Sequence, residues 1–469
     1  MDKLKKKFIG DKAFYKMLLV LVLPLIVQQG ITSSVNLLDN VMVGKLGTEA
    51  ISAVAIVNQI ITVFNLAIFG GLSGCSIFGA QFFGKKDYEG MKQTFRFKMM
   101  FALFAAIVSI VIFIIWGENF ISLFLTGSSD GGDLELTAKY AKQYLTVMLF
   151  GLIPFALVQT YTSTLRESGE TLIPMIGSTG AIVINLCLNY LLIFGKFGCP
   201  RLEVEGAAIA TVIARFFEIL FIAIYAQTHT KKYQFLHKAF SSLYVSSSLI
   251  KKIARTGSPL LFNEIFWSFG MTVVSQCYST RGLSAVAAVN ITTTIWNLFS
   301  ICMIATGNGV SILVGQRLGA GDKEGARDVD NKMLFVALVS HIVMGALLVS
   351  LSGAIPMIYN VEPEVRHLAS NMLIAAGCAL PIHSIINCVY FTIRTGGKTI
   401  ITFLFDCVYT WVVSVPLAFC LAHFTKMPIL WMYTCVQFID IIKLTIGLIM
   451  LRSDFWLNNI VNDKEKEQS

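Results

Sequence analysis

The sequence predicts an all-α membrane protein, with twelve transmembrane helices in two pseudo-symmetric six-helix bundles around a central cavity. The chain of 469 residues is 55% hydrophobic and only 14% charged, whereas a soluble domain carries about 25% charged residues. Its apolar runs are continuous over the roughly 20 residues that a helix needs to cross a bilayer, and they lack the alternation of barrel strands. A third observation is that the chain repeats itself.

The repeat consists of sequence stretches that occur twice in the same order. The pairs are SAVAIVN and SAVAAVN (52–58 and 284–290), GAQFFGKKDYEG and VGQRLGAGDKEG (79–90 and 314–325), TLRESGET and TIRTGGKT (164–171 and 392–399), and the prolines Pro24 and Pro259. Each copy holds six predicted spans, so both copies enter the membrane in the same orientation. The sequence therefore predicts a parallel repeat, related by an axis along the membrane normal.

The predicted elements follow the chain from a basic tail to a charged tail. The segments are the tail 1–16, a first lobe 17–227, a polar linker 228–252, a second lobe 253–452 and a tail 453–469, of which 458–469 are expected to be disordered. The predicted spans are 14–43, 50–80, 95–116, 138–163, 171–195, 205–226, 253–279, 284–316, 330–352, 367–394, 399–423 and 428–451.

The charge distribution predicts the topology. Most of the 37 Lys and Arg residues lie in the tails and in the even-numbered loops. By the positive-inside rule both termini are cytoplasmic, and the absence of targeting features fits a multi-pass protein of the bacterial inner membrane. The net charge of +9 arises from basic residues on the tails and on short loops between spans, so we expect no nucleic-acid partner. The cysteines show no disulfide or metal-ligand spacing.

The first span carries an acidic residue in its second half. Thr32, Asn36 and Asp39 follow i, i+4, i+7 spacing and share one helix face. A carboxylate inside the membrane is costly unless it faces protein or a water-filled cavity, and by default it indicates function. Asp39 is therefore the leading candidate for carrying a coupling cation. The alternative is a structural carboxylate, hydrogen-bonded to Asn36 or to the fifth helix.

The second half has its own polar residues inside spans. The candidates for binding an ion or substrate are Glu264, His383, Asn387, Tyr390 and Asp406, with Trp267 and Trp296 as aromatic contacts for a drug. The structural alternatives are a Glu264 solvated near the end of its helix, a His383 satisfied by its neighbours, and an Asp406 that neutralises Arg394. Arg215 with Glu218 and Asp440 with Lys443 have i, i+3 spacing and are expected to neutralise each other.

These residues together resemble the multidrug and toxic compound extrusion (MATE) family over essentially the whole chain. The resemblance is carried by Asp39 with the following VMVGKLG, by the repeated motifs above, and by NLCLNYLLIFG (185–195) and EGAAIATVIAR (205–215). It implies a two-lobed monomer that exports amphipathic, often cationic compounds. It also implies that the inward flow of protons or sodium ions drives export, without another cofactor.

The resemblance also implies roles for individual residues. Asp39 matches the family's carboxylate in the first lobe, and Asn185 and Asn189 stand where one branch has an Asn and an Asp on helix five; Thr211 is expected to complete that site. Glu264 matches the seventh-helix Glu of the sodium-coupled branch. His383 stands where that branch has an acidic residue on helix ten. Because imidazole offers no anionic oxygen to a hard cation, sodium at the second site is in question, and Asp39 is the place for any bound Na⁺.

The function predicted from these residues is cation-coupled antiport by alternating access of two lobes. A flippase for lipid-linked saccharides has a similar number of spans, but it would need a more cationic cavity than Asp39, Glu264 and Asp406 allow. An intramembrane enzyme would need a nucleophile–base pair or a metal-ligand cluster, and no such pattern or phosphate-binding loop occurs in the chain. A structural or receptor role would not predict carboxylates in the spans of both halves.

Overall fold

The computed structural model describes residues 8–125, 133–359 and 361–462, and the side chains of Asn36 and Leu37 lie outside what it describes. In the described chain, twelve long helical elements follow one another without strands, with four short 3-10 helices besides them, which confirms the predicted class. They are α1 Lys12–Gly44, α2 Thr48–Gly84, α3 Tyr88–Leu125, α4 Leu134–Glu167, α5 Leu172–Phe194, α6 Glu203–Thr228, α7 Ser247–Ser279, α8 Leu283–Phe299 plus Ile301–Gly319, α9 Lys323–Leu351, α10 Pro363–Thr395, α11 Thr399–Phe424 and α12 Ile429–Phe438 plus Asp440–Arg452.

Most of these helices have the length and composition of membrane spans. Within the described residues, ten pass this test and the two parts of α8, which meet at an angle of 41°, make an eleventh. The remaining element, α7, begins with the cationic stretch of Lys251, Lys252 and Arg255 before its apolar part. These bounds agree with the predicted spans to within a few residues at most ends. The helix α3 extends beyond its predicted span, 95–116, at both ends, because the turns on either side of that span are also helical.

The helices form two compact units. The amino-terminal unit comprises Leu23–Gly79 and Asp87–Ile253, and the carboxy-terminal unit comprises α1 up to Val22, the segment Ala80–Lys86 and the chain from Ala254 onward. Each unit has an apolar core of its own. One core includes Val57, Phe64 and Ala156, and the other includes Met372, Leu380 and Met432.

The repeated motifs have the same local structure in both copies. Asp87 and Asp322 precede α3 and α9, and their Oδ1 atoms accept the backbone N–H of Gly90 at 2.9 Å and of Gly325 at 2.8 Å. These are N-cap interactions that satisfy a free donor of the first helical turn. The sequence repeat therefore marks helix starts.

The amide of Gln81 receives the carboxy-terminal segment within its unit. Its Nε2 atom donates to the carbonyl of Asn458 at 3.2 Å, and its Oε1 atom accepts the N–H of Ile460 at 2.9 Å. Trp456 is only 1% exposed. The expectation that the chain is disordered from residue 458 is thus wrong for 458–462, because backbone groups of this segment are bound by the side chains of Gln81 and Lys85. Residues 463–469 lie outside the described chain.

The linker between the halves also has fixed partners. Arg96 on α3 donates to the carbonyls of Ala239 at 2.7 Å and Tyr244 at 3.2 Å, and Tyr233 and Phe235 are buried. The linker is therefore held against the amino-terminal unit.

The carboxy-terminal unit has irregular backbone in its last two spans. The segments Leu404–Val408 and Thr410–Ser414 of α11 are π-helical, and α12 is interrupted at Ile439. The Tyr409 hydroxyl donates to the carbonyl of Ile439 at 2.9 Å, which satisfies a backbone acceptor at the interruption. The corresponding pair in the amino-terminal unit, α5 and α6, is regular α-helix throughout.

Candidate transport sites in the two units

The amino-terminal site is built around Asp39 on α1. Asn189 on α5 donates from Nδ2 to Asp39 Oδ1 at 2.6 Å. One helical turn away, the amide of Asn185 donates to the same oxygen at 3.1 Å and accepts from Thr211 Oγ1 at 3.2 Å, in the orientation that satisfies both of its ends. Three helices thus bring together four of the five residues predicted for this site. Asn36, the fifth, lies outside the described side chains.

The chemistry of this group suits the exchange of a cation. Asn185 and Asn189 are 6% and 1% exposed, and their amide N–H groups stabilise the ionised form of Asp39. The Oδ1 atom of Asn189 is buried and has no hydrogen-bond partner among the described residues. Such an amide oxygen is a ligand that a hard cation can use.

A second polar network in the amino-terminal unit was not predicted as a whole. Gln28 donates to Ser178 Oγ at 2.6 Å, and Ser178 donates to Glu218 Oε1 at 2.5 Å. Arg215 pairs with Glu218 Oε2 at 2.9 Å, which confirms that predicted pair. The remaining contacts cross between helices, and no sequence spacing indicates them.

In the carboxy-terminal unit, Asp406 has a different partner from the one predicted. Lys443 Nζ lies 2.6 Å from Asp406 Oδ1, and Asn263 Nδ2 donates to Asp406 Oδ2 at 3.0 Å. Two expectations are therefore wrong: Asp406 pairs with Lys443 and not with Arg394, and Lys443 does not pair with Asp440. Asp440 and Lys443 lie on one regular helical segment, Asp440–Arg452, and each pairs with a residue of a neighbouring helix and not with the other.

Asp440 pairs instead with His383 on α10. The His383 Nε2 atom lies 3.2 Å from Asp440 Oδ2, and its Nδ1 atom lies 3.0 Å from the carbonyl oxygen of Ala379. The Trp296 ring packs edge-on against the imidazole, with 5.2 Å between ring centroids. His383 is therefore held by a carboxylate and an indole from two other helices.

Glu264 is joined to the Asp406 group through Tyr390, whose hydroxyl oxygen accepts from Asn263 Nδ2 at 3.4 Å. It accepts the Tyr390 hydroxyl at 3.2 Å, and the Arg394 guanidinium lies 5.9 Å from the Tyr390 ring. The Oδ1 atom of Asn387 is buried without a partner among the described residues. Glu264 and His383 were expected to share one site, but they contact different partners. The side chain of Trp267, which was expected to contact a drug, is 40% exposed.

A buried ion pair between α3 and α4 was also missed. Lys98 Nζ pairs with the Glu167 carboxylate, with Ser163 and Thr164 hydroxyls at 3.2 and 3.3 Å as further acceptors. Lys98 is completely buried. Lys98 lies in the predicted span 95–116, and only the packing of α4 reveals its partner.

The fold and these sites define a class: a multi-pass helical membrane protein with repeated units, each holding carboxylates inside its spans. The MatE family model matches residues 24–191 and 259–420. The chain belongs to this family, the MATE transporters, as the sequence motifs predicted. An intramembrane enzyme is therefore excluded as the alternative.

Similar proteins agree with this membership. A probable multidrug resistance protein, YoeA of Bacillus subtilis, is 26% identical over 410 residues, covering 87% of each chain. A probable multidrug resistance protein, NorM of Thermotoga maritima, is 23% identical over 451 residues, covering 96% of this chain and 95% of that protein. The structure of the Vibrio cholerae MATE transporter VcmN in the bent form superposes with a TM-score of 0.84 at 17% identity, covering 94% of this chain and 97% of that one.

Proposed function

We propose that this protein is a cation-coupled antiporter that exports amphipathic, often cationic compounds by alternating access of its two lobes. The observation that carries the proposal is Asp39, held inside a span by Asn185 and Asn189. Names of relatives as multidrug resistance proteins support the substrate class. A single chain contains both repeated units, so a monomer is sufficient, and the charge asymmetry supports an inner-membrane protein with cytoplasmic termini.

The proposed coupling ion is the proton. In the outward-facing state Asp39 takes up a proton, which weakens the amide hydrogen bonds to its carboxylate and releases the exported compound. In the inward-facing state Asp39 loses the proton to the cytoplasm. The amide donors of Asn185 and Asn189 support this assignment, because they stabilise the ionised carboxylate and lose that interaction when the carboxylate takes up a proton.

The available energy is adequate for export. One charge crossing 100 mV releases about 2.3 kcal/mol, and each pH unit adds about 1.4 kcal/mol. Because about 1.4 kcal/mol corresponds to a tenfold concentration ratio, one proton sustains a gradient of a neutral compound of roughly tens- to several-hundred-fold. No nucleotide is required.

The test is transport of a fluorescent organic cation, ethidium, into vesicles that contain the reconstituted protein. Proton and sodium gradients are imposed separately on vesicles with the wild-type protein and the Asp39→Asn variant. We expect transport to follow the proton gradient and to be lost in Asp39→Asn. Asp454→Asn is the matched control, because Asp454 belongs to a surface ion pair and is 63% exposed. Transport that follows only the sodium gradient would show that sodium, and not the proton, is the coupling ion. Wild-type transport by the Asp39→Asn variant would remove Asp39 from the mechanism.

A further inference from the structure

The ends of α2 and α8 meet within the carboxy-terminal unit. Gly84, the last residue of α2, lies so close to α8 that a Cβ atom there would overlap the backbone carbonyl of Gln316. We name this meeting point, formed by residues 81–85 and 316–319, the α2–α8 crossing. The rest of α2, up to Gly79, belongs to the amino-terminal unit. One helix thus contributes to both units, and its last turn packs within the carboxy-terminal one.

The segment 454–461, which follows α12 and is named the strap, lies on this crossing. The side chains of Gln81 and Lys85 hold backbone groups of the strap. In return, Asn459 Nδ2 of the strap donates to the carbonyl of Gly319, the last residue of α8, at 3.2 Å. The strap therefore joins the end of α2 to the end of α8, and all of these residues belong to one unit.

The strap has a packed root and a hydrogen-bonded tip. At the root, Trp456 is 1% exposed, and its indole donates to the carbonyl of Leu451 in α12 at 3.1 Å. A Cβ atom at Gly396 would overlap the Trp456 carbonyl, so the root also lies against the end of α10. The tip, residues 458–461, contains the groups that bind the crossing. Because root and tip have separate partners, the tip can leave the crossing while the root stays in place.

The hydrogen bonds of the tip are of a kind that opens readily. A hydrogen bond at a partly exposed site contributes little net free energy, because water takes its place when it breaks. Lys85 is exposed, and Asn459 and Ile460 are half-buried, so the site borders solvent. A carbonyl at a helix end, such as that of Gly319, is satisfied equally by a side chain or by water. The tip is thus held reversibly.

The repeat by itself does not require this arrangement. A 3-10 turn with a buried aromatic residue follows the sixth helix of each half, at Gln234–Leu236 and at Asp454–Trp456. In the first half, the chain after that turn is held by Arg96 of α3, whereas in the second half it is held at the crossing. This difference favours a role of the strap in the movement of α2 and α8 over a requirement of the repeated fold.

We propose that the strap is a latch that stabilises the closed α2–α8 crossing, and that its tip lifts when the crossing opens. Alternating access requires helix ends at one face of the membrane to separate and rejoin in every cycle. A segment that binds both ends favours the closed arrangement, because it has a higher affinity for that state. The strap is therefore an inhibitory contact that slows transport. This inference rests on the proposed alternating access and on the proposed cytoplasmic location of the termini.

Hydrogen–deuterium exchange of the purified full-length protein, followed by mass spectrometry without any ion gradient, measures the opening of the crossing. The strap variant combines Asn459→Ala with Ile460→Gly. It removes the donor to Gly319 and the side chain that lies against Gly397, and it changes no residue of α2 or α8. Any effect on the crossing is therefore transmitted by the strap.

In the strap variant we expect the backbone amides of residues 80–86 and 314–319 to exchange about fivefold faster or more, the factor that corresponds to the loss of one such hydrogen bond. Gln81→Met loosens the same contact from the other side. The amides of the strap should then exchange faster by a similar factor, because coupling between two sites is reciprocal. Leu243→Gly is the control, because Leu243 is 67% exposed on the linker, and both regions should exchange as in the wild type.

Ethidium transport driven by a proton gradient gives the second readout. The reconstituted strap variant should transport ethidium faster than the wild type, by up to about fivefold, because a less stable closed crossing opens more often. Leu243→Gly should transport at the wild-type rate.

Each outcome bears on the proposal. Unchanged exchange at the crossing in the strap variant would overturn it, since the strap would then be a docked segment only. Equal or slower transport by a variant with a loosened crossing would overturn the inhibitory role. Coupled exchange in a protein that shows no gradient-driven transport would support the latch while contradicting the proposed antiport. Proton-driven, Asp39-dependent transport with an unaffected crossing would contradict the latch alone.

Discussion

Gly319 lies against the backbone carbonyl of Gln81, so closely that a Cβ atom at this glycine would overlap the carbonyl oxygen. The relation is reciprocal, because a Cβ at Gly84 would overlap the carbonyl of Gln316. These four residues are the ones paired by the sequence repeat. The ends of α2 and α8 therefore cross in direct backbone contact, which only glycine permits.

The crossing predicts that Gly319→Ala destabilises the protein. The added methyl group meets backbone, which cannot move aside as a flexible side chain would, and overpacking of this kind costs about 1–3 kcal/mol. Thermal unfolding in detergent measures the effect. Gly30→Ala is the control, since nothing lies within 4 Å of a Cβ at that helical position; equal unfolding temperatures for the two variants would contradict the close crossing.

The buried Lys98–Glu167 pair predicts strong coupling between its members. The repeat places Met333 at the position equivalent to Lys98, so a methionine fits this framework. Lys98→Met alone leaves a buried carboxylate and should cost about 3–5 kcal/mol, whereas Lys98→Met with Glu167→Gln should recover most of that loss.

A double-mutant cycle on thermal stability measures this coupling. Lys92→Met on the same helix is the control, because its partner Glu89 is 59% exposed and surface pairs contribute little. Additive effects of the two substitutions at Lys98 and Glu167 would show that the pair is not coupled.

The amide contacts of Asp39 predict a transport defect in Asn189→Ala. Its hydrogen bond to the carboxylate is 2.6 Å long, and a bond to a charged group contributes about 1.5–3 kcal/mol. Gradient-driven ethidium transport should therefore fall by about tenfold or more. Asn119→Ala, at an exposed position of α3, should transport normally, and normal transport by Asn189→Ala would separate this amide from the mechanism.

Glu170, between α4 and α5, predicts a pH effect on stability. Burial alone would raise the pKa of this carboxyl, but hydrogen bonds from Lys232 and Tyr233 outweigh it and hold the pKa below its ordinary value. The folded state thus binds the proton less tightly than the unfolded chain. The stabilisation is present above the unfolded pKa of about 4.3 and is lost as pH falls through the lower folded value.

Acid unfolding of Glu170→Gln tests this relation. Its stability should fall less steeply than that of the wild type as pH decreases through this range, although at higher pH it should be slightly less stable. Glu135→Gln, exposed at the start of α4, should follow the wild-type curve. A Glu170→Gln variant with the wild-type acid dependence would contradict a folded-state ion pair.

The docked carboxy-terminal segment predicts that Trp456→Ala destabilises the protein. The side chain is almost completely buried, and removal of such an aromatic group costs about 3–5 kcal/mol. Phe424→Ala is the matched control, because that ring is 78% exposed. Chemical unfolding of both variants distinguishes a docked segment from a free tail, for which the two substitutions would have equally small effects.

Composition and repetition by themselves determined the class of this protein. A continuous apolar segment that is long enough to cross a bilayer forms a helix, which satisfies its backbone hydrogen bonds internally. The repeated motifs locate equivalent helix starts, at Asp87 and Asp322. Asp39 was identifiable because a carboxylate in an apolar span is conspicuous without any knowledge of its neighbours.

The choice of partners was decided only by tertiary structure. Spacing along one helix predicted that Lys443 would pair with Asp440, yet Lys443 reaches Asp406 and Asp440 reaches His383. The physical reason is that a charge inside a membrane pairs with whichever opposite group the helix packing brings within reach. The packing of α10, α11 and α12 that brings these groups together leaves no periodic signal in the sequence.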